Sequence, residues 1–556
     1  MDKKSIRTLS DLIITAAQEY GDKPALSYVD DTPWSFNDIY QTAVTFSQKL
    51  TAKGIRQGDH VALLSESSPY WGIAYFAGIL TGAVIVPILP DFHANEIDTI
   101  IEHSEASCIL VSEKNQKKLS SALQSSEVMV IQEEIMRPKG HLPVVGFTPP
   151  TISEDDLACI IYTSGTTGSS KGVMLTHKNI LSNAFAALKI PNWTEETHAL
   201  SILPLAHSYE FTMGFITLLI LGGTNFYMRR PPSTSVLIPA LAKIRPQMML
   251  TVPLLIEKIY DGIKHKKIDN HFITRILYKF PPTRIILNKI IGKGLIKTFG
   301  GRLHFFGIGG APLDHKTELF LREAHFPFSI GYGLTETSPL IAGGLSADIP
   351  FSSTGPFLPN IEYKFVKDAE HKFKDGELLV RGSNVMKGYY KDAKKSAEVL
   401  SKDGWFHTGD LGKISKSGIL TITGRAKNMI LCSNGENIYP EQIESIINQD
   451  QFVMESLIIQ DKKTTGLVAY IHFDYERFLE KHKDNRLVKE FHHLEHQLLH
   501  QKELPLQDQI NTYMNELVKR INNQLSSFEH IERMIEQKEP FVRTPTKKIK
   551  RYLYEV

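Results

Sequence analysis

Cysteine is nearly absent: Cys108, Cys159 and Cys432 are the three in 556 residues, and they lie far apart. That scarcity excludes a disulfide framework and a cysteine-rich zinc site and points to a reducing cytosol. An excess of one charge is also missing. Lysine and arginine number 63 against 61 acidic residues, a net charge of +2, so there is no global footprint for nucleic acid and any basic site is regional. No run of about 18 uninterrupted apolar residues offers a membrane span. The most apolar stretch, Phe211 to Met228, is broken by Gly214, Gly222, Gly223, Thr224 and Asn225 and reads as a buried helix running into a strand. The amino-terminal MDKKSIRTLSDLI carries charge without the apolar run of a secretory signal. Internal repeats and low-complexity tracts are lacking too, which disfavours solenoids and propellers.

What is present is the material of a folded α/β protein. Hydrophobic residues make up 42% and charged ones 22% of the chain, far from the composition of disorder. At roughly 150 residues per domain the length suits three or four units, or one large α/β body with a smaller domain. Strand-like runs at His60–Ser65, Ala83–Ile88, Ala158–Tyr162, Met248–Val252 and Leu303–Gly307 alternate with amphipathic helical segments. This alternation predicts parallel sheets with helices on both faces. Between Asp375 and Thr423 short strands and glycine-rich turns predict a small β unit. From Arg425 onward helix, strand and helix segments predict a smaller mobile α+β domain, dividing the chain into 1–424 and 425–556. Within it, Glu476 to Gln509 reads as a mostly helical insertion with a solvated face.

The strongest chemical signal is YTSGTTGSSKGV, Tyr162 to Val173, directly after an apolar strand. Thr163, Ser164, Gly165, Thr166, Thr167 and Gly168 supply hydroxyls and backbone N–H groups to phosphate oxygens, and Lys171 adds positive charge. The Walker spacing fails, because two serines separate Gly168 from Lys171 and Gly172 follows it.

This loop resembles that of the adenylate-forming enzymes: acyl-CoA synthetases, peptide-synthetase adenylation domains and luciferases. Seven further motifs stand in that superfamily's order: LPLAHSYE from Leu203, GGAPL from Gly309, GYGLTET from Gly331, GWFHTGDL from Gly404, GRAKNMI from Gly424, SNGENIYP from Ser433 and TPTKKIKR from Thr544. The resemblance implies a two-part α/β architecture: a large body of two sheet subdomains plus the β unit, and the mobile carboxy-terminal domain. It also implies ATP and Mg²⁺. Gly310, Ala311 and Pro312 would wall the adenine slot, Tyr332 would stack on the base beside Gly333, and Asp410 and Arg425 would bind the ribose. Thr335 would contact the α-phosphate and Glu336 would hold Mg²⁺. Lys548 would bridge carboxylate and phosphate oxygens during adenylation, with Lys547 and Lys550 as minor alternatives. Lys427 falls at the hinge position, and the loop with Gly435 and Glu436 would face the site in the thioester-forming state.

His207 and Glu210 match a P-L-x-H-x-x-E motif beside the acyl pocket of long-chain fatty acyl-CoA synthetases. The resemblance therefore implies a fatty acid substrate, with Phe211, Phe215 and Phe226 as expected tunnel lining. Coenzyme A is the expected thiol, and an acyl-carrier protein is the alternative; an aryl or amino acid adenylating relative and a non-catalytic acyl-nucleotide binding protein are the other readings, the last disfavoured because Lys548, Glu336 and Asp410 are all present. Between Lys264 and Arg302 ten basic residues meet one acidic residue, Asp269, among many large apolar groups. That pattern suits either a basic helical pair covering the core or a helix lying on an anionic membrane, which would place a cytoplasmic enzyme on the inner face of a membrane.

Overall fold

The computed structural model describes residues 5–124, 127–135, 147–164, 170–191, 193–366, 376–431, 437–462, 464, 466–475, 477–478, 504–544 and 549–554. Among them two large, mainly parallel sheets form the body. In the first, Phe328–Gly333, Phe305–Ile308, Met248–Thr251, His198–Ser201, Thr224–Tyr227 and Pro24–Tyr28 run parallel, with Leu340–Leu345 and Trp34–Ser35 as antiparallel edges. In the second, Leu157–Ser164, Val84–Ile88, His60–Leu64, Cys108–Val111 and Val128–Val130 run parallel, and Ser170–Thr176 with Gly388–Tyr389 extends one edge antiparallel.

The helix Pro69–Thr81 explains how the sheets share a core. Its sequence is apolar all round, so it needs cover on every side, and every residue but Tyr70 is buried. Ser68 caps it by accepting the Trp71 N–H at 3.0 Å. Gly72 permits a close approach, since a Cβ there would lie 2.9 Å from Phe215. Trp71, Tyr75, Phe76, Phe211 and Phe215 then form one buried aromatic cluster. The apolar stretch after Tyr209 is a buried π-helix, Tyr209–Ile216, followed by Thr217–Leu221 and the strand Thr224–Tyr227. It enters the body as expected. Among the described residues no helix is long and apolar enough to cross a membrane.

The small β unit is a five-stranded sheet ordered Gly355–Pro356, Ile419–Arg425, Phe406–Ile414, Gly376–Arg381 and Glu362–Val366. It begins some twenty residues earlier than its sequence signature, and Gly388–Tyr389 leaves it to pair with Val173 and Met174 in the second large sheet. Arg425 is its last strand residue. Beyond it, Val453–Gln460, Leu467–Phe473 and Ile531–Glu536 form a three-stranded sheet with the helices Pro440–Ile447 and Leu504–Asn522 and a core of their own. Of the expected 476–509 insertion, residues 504–509 open the second of those helices, and 476 and 479–503 lie outside the described residues.

Candidate active site

The residues expected to hold a nucleotide lie at the carboxyl ends of parallel strands, where α/β sheets place ligands. Phe328–Gly333 turns back into Leu340–Leu345 through a short helical turn at Thr335–Thr337. Gly333 makes this possible, because a Cβ there would sit 1.9 Å from the Pro339 carbonyl oxygen. The turn presents Tyr332, Thr335 and Glu336 together. Just past the end of the neighbouring strand Phe305–Ile308, Gly310 has φ +90°, and the Gly310, Ala311 and Pro312 wall is exposed.

Asp410 is 2% exposed, and its charge is met from two sides. Tyr332 Oη donates to Asp410 Oδ2 at 2.7 Å, and Arg425 Nε donates to Oδ1 at 2.9 Å. The β unit supplies both ends of the ion pair, because Asp410 and Arg425 face each other across its antiparallel strands. Burial disfavours the Arg425 cation, but Asp410, Tyr332 and Glu336 outweigh it and raise its pKa. Burial, reinforced by Asp410, also pushes the Tyr332 phenol well above its usual value, keeping it a donor.

A second chain of contacts reaches the phosphate loop. Tyr389 Oη donates to Glu336 Oε1 at 2.9 Å, and Lys171 Nζ lies 5.2 Å from the centre of the Tyr389 ring. Burial lowers the Lys171 pKa, and the Lys395 and Lys427 charges add to this. The strands on either side of that loop pair antiparallel, with Thr163 opposite Lys171 and Ser164 opposite Ser170. Gly165, Thr166, Thr167 and Gly168 fall outside the described residues, as do Gly435, Glu436 and Lys548, while Ser164 is described through its backbone. Lys427 lies in the turn directly after Arg425.

His207 Nδ1 accepts the Tyr209 N–H at 3.2 Å, and Ser208 Oγ donates to Thr335 Oγ1 at 3.3 Å. The LPLAHSYE segment thus touches the Thr335 turn through Ser208, a residue the motif reading passed over. Behind it lies a narrow apolar cavity of about 30 Å³ whose walls include Trp193, Tyr209, Met213, Met248, Phe305 and Gly331. The expected lining was different. Phe211 and Phe215 pack into the Trp71 cluster because the buried helix turns those rings toward the inter-sheet core, and Phe226, on the strand Thr224–Tyr227, packs edge-on against His198 of the neighbouring strand. The other omission, Tyr389, stands in a Gly-Tyr-Tyr run whose role depends on pairing with a strand more than two hundred residues earlier.

Glu210 is 2% exposed, and among the described residues its Oε2 has no hydrogen-bond partner. Burial raises its pKa to about 8, with Ser201 opposing the shift. The folded state therefore holds a proton that the unfolded chain releases near the ordinary carboxyl value, so stability falls as pH rises through that interval and levels off above about 8. Glu210→Gln removes the titration with little change of shape. Melting temperatures from pH 5 to pH 8 should fall less in the variant, the difference corresponding to roughly 3 to 5 kcal/mol.

Among the described residues no three His, Cys, Asp or Glu side chains converge on a metal cage. Mg²⁺ does not need one: it takes one or two carboxylates plus substrate phosphates and keeps several waters. Glu336, beside Thr335 and facing Lys171 through Tyr389, fits that donor set.

The profile of the AMP-binding enzyme family matches residues 14–390. The chain belongs to this family. It is 29% identical over 493 residues to fatty acyl-CoA synthetase A of Dictyostelium discoideum, covering 80% of this chain and 73% of that one. It is 28% identical over 496 residues to the long-chain-fatty-acid–CoA ligase of Salmonella typhimurium, covering 81% and 82%. Among solved structures, ATP-bound MatB from Rhodopseudomonas palustris matches with a TM-score of 0.75 at 22% identity over 98% of both chains. The o-succinylbenzoate coenzyme A synthetase MenE of Bacillus subtilis, in complex with ATP and magnesium ion, matches with a TM-score of 0.74 at 22% identity, over 97% of this chain and 98% of that one. These structures share the fold, as a large amino-terminal body followed by a carboxy-terminal domain.

Proposed function

We propose that the enzyme activates a long-chain fatty acid with ATP and passes it to coenzyme A. A carboxylate oxygen attacks the α-phosphorus, the bond to the bridging oxygen breaks, and pyrophosphate leaves. The coenzyme A thiolate then attacks the acyl carbon and AMP leaves. The observation that carries this reading is one strand with two faces of chemistry. Ser329, Ile330 and Gly331 border the apolar cavity, and the same strand ends in Tyr332, joined to Asp410, before Thr335 and Glu336. An acid seated in the cavity would present its carboxylate where the α-phosphate lies.

In this reading Asp410 and Arg425 fix the ribose, Tyr332 stacks on adenine, and Thr335 and Lys171 hold phosphate oxygens, so that much of the rate comes from positioning and electrostatics. Mg²⁺ bound at Glu336 supplies charge neutralisation for the departing pyrophosphate. Lys548 completes the adenylation site, and rotation about Lys427 brings the Gly435 and Glu436 loop in for thioester formation. His207, whose neighbour Ser208 touches Thr335, acts beside the reacting carboxylate. A cavity of about 30 Å³ holds a water molecule and not a hydrocarbon chain, so acid entry moves flexible walls such as Met213. Burial of the chain then contributes about 0.8 kcal/mol per methylene. The enzyme works in the cytoplasm and draws its acid from the inner face of a membrane, where such acids dissolve.

Pyrophosphate release over a panel of acids tests the substrate. Turnover should rise with chain length, and the thioester should form with coenzyme A in preference to an acyl-carrier protein. A preference for malonate or an aryl acid would overturn the fatty acid reading, and a preference for the carrier protein would overturn the acceptor.

A further inference from the structure

The crossover between the strands Met248–Thr251 and Phe305–Ile308 is much longer than one covering helix. It runs through Pro253–Lys264, a π-helical turn at His265–Asp269, Phe272–Leu277 and Pro281–Thr298. Part of it packs on the body: Asn288, Ile291, Gly292 and Leu295 are the buried positions of the last helix, and Arg284 and Asn288 both bind Glu323. The rest faces outward. Phe272–Leu277 buries none of its residues. Of the seventeen large apolar side chains exposed among the described residues, eight fall between Phe272 and Ile290. Ile273 is 70% exposed, Phe272 67% and Ile290 63%.

Positive charge is interleaved with this patch. Lys289, Lys293 and Lys297 recur at helical spacing and share the outward side of Pro281–Thr298 with Ile286 and Ile290, opposite the buried Ile291 and Leu295. The single acidic residue between Lys264 and Arg302, Asp269, already lies 4.0 Å from Lys264 and 3.8 Å from Arg477. A second copy of the chain would bring two such basic faces together, which like charges disfavour. An anionic bilayer satisfies both halves of the pattern, with phosphates for the lysines and acyl chains for the phenylalanines and isoleucines.

We propose that this crossover docks the enzyme on an anionic lipid bilayer, with Phe272, Ile273 and Phe280 inserted and Lys289, Lys293 and Lys297 on the headgroups. The surface deepens the fatty acid reading, since its two ends are the strands that carry Met248 and Phe305 of the cavity wall. Its test reads binding alone, so a failure of the substrate assay leaves it standing.

The full chain should float with phosphatidylcholine vesicles that contain phosphatidylglycerol and remain in solution with phosphatidylcholine alone. Raising salt from about 0.1 M to about 1 M shortens the Debye length from about 10 Å to about 3 Å, and binding should fall at least tenfold. Phe272→Ser with Ile273→Ser and Phe280→Ser should weaken partitioning about tenfold or more, and charge reversal of Lys289, Lys293 and Lys297 to Glu about a hundredfold. Both variants should release pyrophosphate from a short soluble acid at the unmodified rate, which shows that the site is folded. Wild-type protein that stays in solution with the anionic vesicles at low salt overturns the proposal. So does a dimer, seen by light scattering, that the serine variant converts to monomer, because a second copy would then cover this face.

Discussion

Lys548→Ala should lose about 100-fold or more in adenylate formation, the scale set by removing one preorganised donor from a developing charge. The loss should be selective. If Lys548 balances charge between carboxylate and α-phosphate, it acts in one half-reaction, and thioester formation from supplied acyl-adenylate should largely survive. The flanking residues show how its segment is held to the carboxy-terminal domain. Arg543 pairs with Glu455, Arg551 pairs with the buried Glu444, and Arg543 and Ile549 form a β-bridge. Truncating the lysine leaves all of these in place, so the melting temperature should not move. Pyrophosphate exchange and single-turnover thioester formation, measured separately, check the assignment; an equal loss in both would remove Lys548 from this role.

Lys427→Pro should produce the opposite split, with pyrophosphate release retained and thioester turnover reduced at least tenfold. The turn after Arg425 is local: the N–H groups of Asn428 and Met429 both donate to the Arg425 carbonyl, and the Ala426 N–H donates to Gly409. Beyond it the chain enters a domain with its own core, tied back by Asn428 Nδ2 donating to Glu441 at 2.6 Å. If the domain brings Lys548 in for one step and a different loop in for the next, it must rotate about few residues, and proline fixes φ near about −65° and restricts the residue before it. Quenched-flow measurement of acyl-adenylate and thioester should show the intermediate accumulating. Normal thioester turnover would place the hinge elsewhere.

Much of the site was legible in the sequence because its chemistry is packed into contiguous runs. Tyr332, Thr335 and Glu336 lie on one strand end and its turn, so their proximity is a local property. Gly333 is similarly local, forced by the Pro339 carbonyl six residues on. The alternation of apolar runs with amphipathic helices specified the two large sheets, since each strand needs cover on both faces.

The tertiary structure alone decided which distant pieces meet. Asp410 and Arg425 become a pair through the register of two β-unit strands, and Tyr332 joins them from a different sheet. Tyr389 reaches Glu336 because its two-residue strand abandons the β unit for the second large sheet. The apolar cavity shows the limit most clearly. Composition marked Phe211 and Phe215 as apolar, yet a helix that is apolar all round has no sequence signal for which side meets a cavity and which meets the core. Packing against Trp71 and Tyr75 settled that, leaving Trp193, Met248 and Phe305 as walls. The crossover is the converse case. Its sequence is equally rich in isoleucine and lysine on every side, and packing against the neighbouring helices Thr234–Ile244 and His315–Glu323 determined that Ile291 is buried while Ile286 and Ile290 face out.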